Sequence, residues 1–173
     1  MNRYRILKRV VGLLALAALS ISAAAAQPAL LELSSYPRTD LSIRTARPPA
    51  THQFRIWVAD TPQRQNQGLM FVRDLPANEG MLFINEQPRV ASMWMKNTFI
   101  PLDMLWIDAR GRITEIHANT TPHSLDTVSA PMKVRAVLEL RGGETARRGI
   151  RRGDIVVHPA FRHGTPRGEK PTG

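Results

Sequence analysis

The chain has 173 residues, of which 24 are Lys or Arg and 14 are Asp or Glu, a formal charge of +10. It has no cysteine, which excludes disulfides, thiol catalysis, cysteine metal sites and a lipid anchor on cysteine. A length of this order accommodates one domain with a real core.

Residues 1–26 read as a secretion signal. Arg3, Arg5, Lys8 and Arg9 form a basic start, Val10 to Ala24 is apolar, and Ala24-Ala25-Ala26 before Gln27 has the small-x-small cleavage pattern. The apolar run is short against the about 20 residues that span a bilayer. Cleavage near Ala26 is therefore expected, with the rest of the chain periplasmic or secreted and carrying no membrane span. That remainder is 147 residues with 20 basic and 14 acidic side chains, a charge of +6. The excess either draws anionic envelope components or is a solvated surface of scattered arginines. Its basic runs stop at the pairs Arg147-Arg148 and Arg151-Arg152, without interleaved aromatics. Nucleic acid is not an expected partner.

Residues 27–52 hold Pro28, Pro37, Pro48 and Pro49, which interrupt any helix. They are expected to be a mobile leader with one edge strand at Leu41-Ser42-Ile43. The domain proper is expected over 53–161. Phe54, Ile56 and Val58 alternate with Gln53, Arg55 and Trp57 as a strand. Thr61-Pro62 is an N-cap and first-turn signal for a short helix to Gln67, which Gly68 can end. Met81–Ile84 and Val90–Thr98 are expected strands. Leu102–Asp108 and Arg112–His117 form a hairpin whose turn ends on Gly111. Residues 118–132 are a polar loop, and Val134–Leu140 is a strand that Gly142-Gly143 breaks. Thr145–Arg148 makes one helical turn, and Asp154–Val157 is the last strand. Residues 162–173 are expected to be a disordered tail. Short strands with frequent Gly and Pro predict a mainly β chain: a single sandwich- or barrel-like domain with one or two short helices.

Certain segments are specific in order and spacing: Gly68-Leu69-Met70-Phe71, Leu75-Pro76, Gly80-Met81-Leu82-Phe83, Trp94-Met95-Lys96-Asn97-Thr98, Ile100-Pro101-Leu102-Asp103, Val137-Leu138-Glu139-Leu140 and Gly153-Asp154. In these the chain resembles domain-of-unknown-function family 192, mostly exported or membrane-tethered prokaryotic proteins, over about residues 53–158. The resemblance implies a β-rich, sandwich-like domain and brings no activity, cofactor or catalytic residue. Two departures are Met93, where the family commonly has an aromatic, and Val72, where it often has arginine.

Lys96, Asn97, Thr98 and Asp103 are the leading ligand-binding candidates, because polar side chains inside an apolar stretch need partners. Flanked by Leu102 and Met104, Asp103 is expected to be buried and paired, with Lys96 or backbone near Asn97 as partner. Two readings stand: a pocket for a small anionic or hydroxylated ligand, or a structural Lys–Asp pair with an Asn/Thr turn. Trp94 and Glu139 are secondary candidates. Met70, Met81, Met93, Met95, Met104 and Met132 read as packing rather than a copper site. The five histidines show no ligand spacing, and no serine has a nucleophile-elbow setting. No metal, cofactor or catalytic residue is assigned. The expected function is a non-catalytic periplasmic binding or envelope-interaction module. The alternative is a small hydrolase or transferase on envelope glycans or lipids, with Asp103 or Glu139 as acid/base and Lys96 orienting an anion.

Overall fold

The structure, a computed structural model, describes residues 30–161. The expected signal segment 1–26 and tail 162–173 lie outside the described residues. The elements are β1 (Arg38–Ala46), β2 (Pro49–Ala59), α1 (Pro62–Gln67), β3 (Glu79–Arg89), β4 (Ser92–Met93), β5 (Leu102–Ile107), β6 (Ile113–His117), β7 (Val128–Ser129), β8 (Val134–Arg141), α2 (Glu144–Arg148) and β9 (Ile155–Val157). A short 3-10 turn at Leu33–Ser35 precedes them.

Seven strands make one sheet in the order β6-β5-β8-β3-β2-β1-β9, and β4 pairs with β7 apart from it. Only the β2–β3 pair of the large sheet is parallel, since α1 and the following turn carry the chain back before β3 begins. The two sheet ends approach each other: Arg112 bridges Ile155, and the Ile113 N–H donates to the Asp154 carbonyl at 2.9 Å. The contact is a bridge rather than a ladder, so the sheet is barrel-like without closing.

Strand alternation divides the interior in two. One face gathers Leu41, Ile43, Phe54, Ile56, Leu82, Leu105, Ile113, Leu138, Leu140 and Val156, drawing on all seven strands. The opposite face carries Trp57, Met81, Phe83, Met104, Trp106 and Val137, and the crossing segments cover it with Leu69, Leu75, Ala91, Met95 and Ala130. Every residue of β5 is buried because both of its faces meet a core.

Local signals placed several elements. Thr61 accepts the Arg64 N–H, Pro62 opens α1 and Gly68 closes it at φ 52°. Gly111, at φ 81°, turns β5 into β6.

Other expectations are corrected. Residues 38–52 are not a mobile leader. Most of them belong to the β1–β2 hairpin, and β1 lies between β2 and β9 rather than at an edge. Prolines exclude helix but not strand: Pro37 precedes β1 and Pro49 begins β2, while Leu41, Ile43 and Thr45 alternate into the interior. The expected strand over 90–98 shrinks to Ser92–Met93, because the chain turns at Lys96-Asn97 with Asn97 at φ 56°. Asparagine tolerates that left-handed region. Met132 is exposed rather than packed.

Gly80 sits in β3 opposite Leu140. A Cβ there would run into the Glu139 carbonyl oxygen and lie 2.8 Å from Leu140 Cδ2. Neighbouring backbone cannot yield as a flexible side chain can, so Gly80→Ala should destabilise by about 1–3 kcal/mol or more, read as a lowered urea midpoint.

Candidate functional site

A cleft of about 380 Å³ opens on the sheet face opposite the seven-strand core. Its floor is Phe83, Val137 and Glu139; α1 and Gly68–Met70 form one wall, and residues 91–98 form the other. The α1 wall sits close because Gly68 has no Cβ; one would lie 2.9 Å from Phe83 Cζ. Gln65 ties the helix to the sheet, its amide donating to the Ile84 carbonyl at 2.7 Å and the Ala59 carbonyl at 3.2 Å.

Glu139 is the unusual member. It pairs across the ladders with Met81 and Met104, so its side chain rises from an apolar face. The residue is 4% exposed, and no described residue hydrogen-bonds or ion-pairs with its carboxyl. Burial pushes its pKa up to about 8, so at neutral pH it is mostly the uncharged acid.

The fixed charges at the cleft are positive. Lys96 is exposed, its ammonium 5.2 Å from the Trp94 ring centroid. Arg89 is positioned by Nε donating to Asn85 Oδ1 at 2.8 Å, and Asn85 is anchored by Nδ2 donating to the Val134 carbonyl at 3.1 Å. Trp94, 47% exposed, stands at the rim.

The six residues singled out from the sequence therefore separate. Lys96, Thr98, Trp94 and Glu139 line the cleft. Thr98 is buried there with its hydroxyl on the Lys96 carbonyl at 3.3 Å. Asn97 does not line it: its carbonyl accepts the Phe71 N–H at 2.8 Å and its amide faces Met70 Sδ at 3.9 Å.

Asp103 lies on the other face of the sheet, opposite Leu140. It is fully buried, and Lys96 is not its partner. Oδ1 accepts the Asn119 and Gly143 N–H groups, each at 2.9 Å. Oδ2 accepts the Thr145 N–H at 2.8 Å and the Thr145 hydroxyl at 2.7 Å. Asp103 thus joins the 118–120 segment to the start of α2, where Gly143, the N-cap residue, has no side chain to cap with. The polar cluster read from the sequence is a scaffold clamp on one face and part of a cleft on the other.

Arg89 and Asn85 had no sequence signal, because their place in the cleft depends on how far β3 extends. Glu139 had one: a carboxylate in the apolar run Val137-Leu138-Glu139-Leu140.

The family profile of DUF192, an uncharacterised group, matches residues 43–158. A protein from Sinorhizobium meliloti 1021, provisionally called a transcription regulator, has a crystal structure similar to this chain. The TM-score is 0.71 at 38% identity, covering 73% of this chain and 98% of that one. A protein of unknown function from Novosphingobium aromaticivorans DSM 12444 gives a TM-score of 0.70 at 36% identity, covering 78% of this chain and 94% of that one. No curated protein matches significantly. Four of the segments that carry the family resemblance, those containing Gly68, Phe83, Trp94 and Glu139, meet at the cleft.

Proposed function

The chain belongs to DUF192, and from that premise we propose that it is a non-catalytic binding module of the cell envelope, exported by its N-terminal segment, that takes a small ligand in the Glu139 cleft. The observation that carries the reading is Glu139 itself. A glutamate is almost never this buried without a partner, and this one sits where family segments distant in sequence converge. The cleft volume falls within the range of small-molecule sites. No helix of the described residues is long and apolar enough to cross a membrane.

A second reading, an envelope hydrolase or transferase, draws on the raised pKa of Glu139, which suits a proton donor. An acid/base pair needs a second titratable group converging on the same space. The other charged side chains lining this cleft are Lys96 and Arg89, and Asp103 faces away. Binding is the better-supported function.

The test is recovery of the protein from the periplasm of its host. Intact mass should correspond to a chain beginning at Gln27; a membrane-bound chain retaining residues 1–26 would defeat the export claim. Mass spectrometry of co-purifying small molecules should find a species in the parent that Glu139→Leu, which fills the floor with carbon, has lost. Identical small-molecule profiles would defeat the binding claim.

A further inference from the structure

We propose that the cleft binds a small zwitterion, its primary ammonium seated on the Glu139 carboxylate and its anionic group held at the mouth by Lys96 and Arg89. The proposal deepens the binding reading above and rests on it.

The argument begins with charge placement. The acid is at the floor, nine-tenths buried and without a partner among the described residues. Neither cation that shares the cleft pairs with it: Lys96 lies over Trp94 and Arg89 donates to Asn85. The α1 wall adds Gln65, Asn66 and Gln67, all uncharged. Gln67 is also committed elsewhere, exchanging two hydrogen bonds of 2.6 Å with the Leu31 backbone. An anion alone would meet the two cations and a single O–H of the protonated Glu139, leaving the floor without a charge-assisted contact. A cation alone would be repelled at the mouth, and a neutral polyol would use neither cation. A molecule with an ammonium and an anionic group on a short spacer satisfies both ends, and charge-assisted hydrogen bonds are the strong ones. Free amino acids and the phosphoethanolamine headgroup of an envelope lipid both carry that chemistry.

Binding must also move a proton. With its carboxyl raised to about 8, Glu139 is mostly protonated at pH 7 and has to ionise to receive an ammonium. Close to one proton should leave per ligand bound at pH 7. The number should fall toward zero near pH 9, where the free cleft is already ionised.

Isothermal titration calorimetry of the periplasmic protein, in buffers of different ionisation enthalpy, reads both quantities. The probes are alanine, phosphoethanolamine and phosphatidylethanolamine vesicles, with propylamine, propionate and glucose as single-feature controls. A zwitterion should bind at least about tenfold tighter than propylamine or propionate and release the proton. Alanine alone would identify free amino acids; phosphoethanolamine together with the vesicles would identify the lipid. Glu139→Gln preserves shape and should lose both the proton release and about tenfold or more in affinity. Lys96→Gln with Arg89→Gln should reduce the zwitterion to the level of propylamine. Binding of a zwitterion without proton release, or of a control as tightly, overturns the assignment. If glucose alone binds, the cleft remains a binding site and the charge assignment fails. If no probe binds at millimolar concentration, the zwitterion is overturned, while the co-purification experiment judges the cleft separately.

Discussion

Asp103→Ala should remove about 2 kcal/mol or more of unfolding free energy, because it strands the buried Thr145 N–H and hydroxyl at about 1–3 kcal/mol for each buried donor and leaves the partly buried Asn119 and Gly143 N–H groups to water. All four bonds are between 2.7 and 2.9 Å long. They tie β5 to two segments that no ladder holds, the 118–120 loop and the entry to α2. Against a typical domain stability of about 5–15 kcal/mol, this is a large share. Asp103→Asn should cost less, because its one remaining oxygen still accepts from Asn119 and Gly143, although its amide then opposes the Thr145 N–H. Coupling identifies the partner. Thr145→Val and Asp103→Ala should be less damaging together than the sum of the two, by roughly 0.5–3 kcal/mol. Lys96→Met and Asp103→Ala should simply add, since the two side chains lie on opposite faces of the sheet. Urea melts of these singles and doubles decide the matter. A parent-like melt for Asp103→Ala would mean that the carboxylate is not the cap of α2.

The second large effect is on pH dependence. Glu139 is raised from 4.5 to about 8 in the folded protein, so the native state keeps a proton that the unfolded chain has already released. Its contribution is fully present below pH 4.5 and is lost as pH rises through about 8. At pH 7 the cost is on the order of 3 kcal/mol. The parent should therefore lose about 3 kcal/mol between pH 5 and pH 8 relative to Glu139→Gln, which has no charge to bury. Glu144 does not confuse this window. Burial alone would raise it, but hydrogen bonds from Arg147, Arg141 and Arg148 outweigh burial and hold it at about 2, so its contribution is lost only as pH falls below the ordinary carboxylate range. Denaturant melts of parent and variant at the two pH values give the difference directly. Parallel pH profiles would show that Glu139 has solvent or a cation beside it.

The mainly β class was legible because its signals are local. The alternation in β2, the Thr61-Pro62 start of α1 and the Gly111 turn each involve a few consecutive residues. The β1 strand was underread although Leu41, Ile43 and Thr45 alternate. The nearby prolines obscured the pattern, and one of the strand's two partners, β9, lies at the far end of the domain. Gly142-Gly143 was read as a strand breaker. A Cβ on Gly142 would lie 2.9 Å from Asn119 Oδ1 and from Pro101 Cβ, and Gly143 stands at φ 85°. The pair therefore lets the chain pass close enough for the Asp103 carboxylate to cap α2.

By itself the sequence determined the β-rich class, the family and the presence of polar side chains that had to be satisfied inside an apolar domain. Period and turn chemistry settle such features within a few residues of chain. Only the tertiary structure decided which carboxylate is scaffold and which lines the cleft. Asp103 and Glu139 are both buried acids in central strands, and nothing local separates them. The register does: Asp103 falls opposite Leu140 and Glu139 opposite Met104, which puts them on opposite faces of one sheet. One face supplies four donors from folded-back loops. The other lies beneath α1 and the 91–98 segment, where the cleft holds a carboxyl without a partner among the described residues.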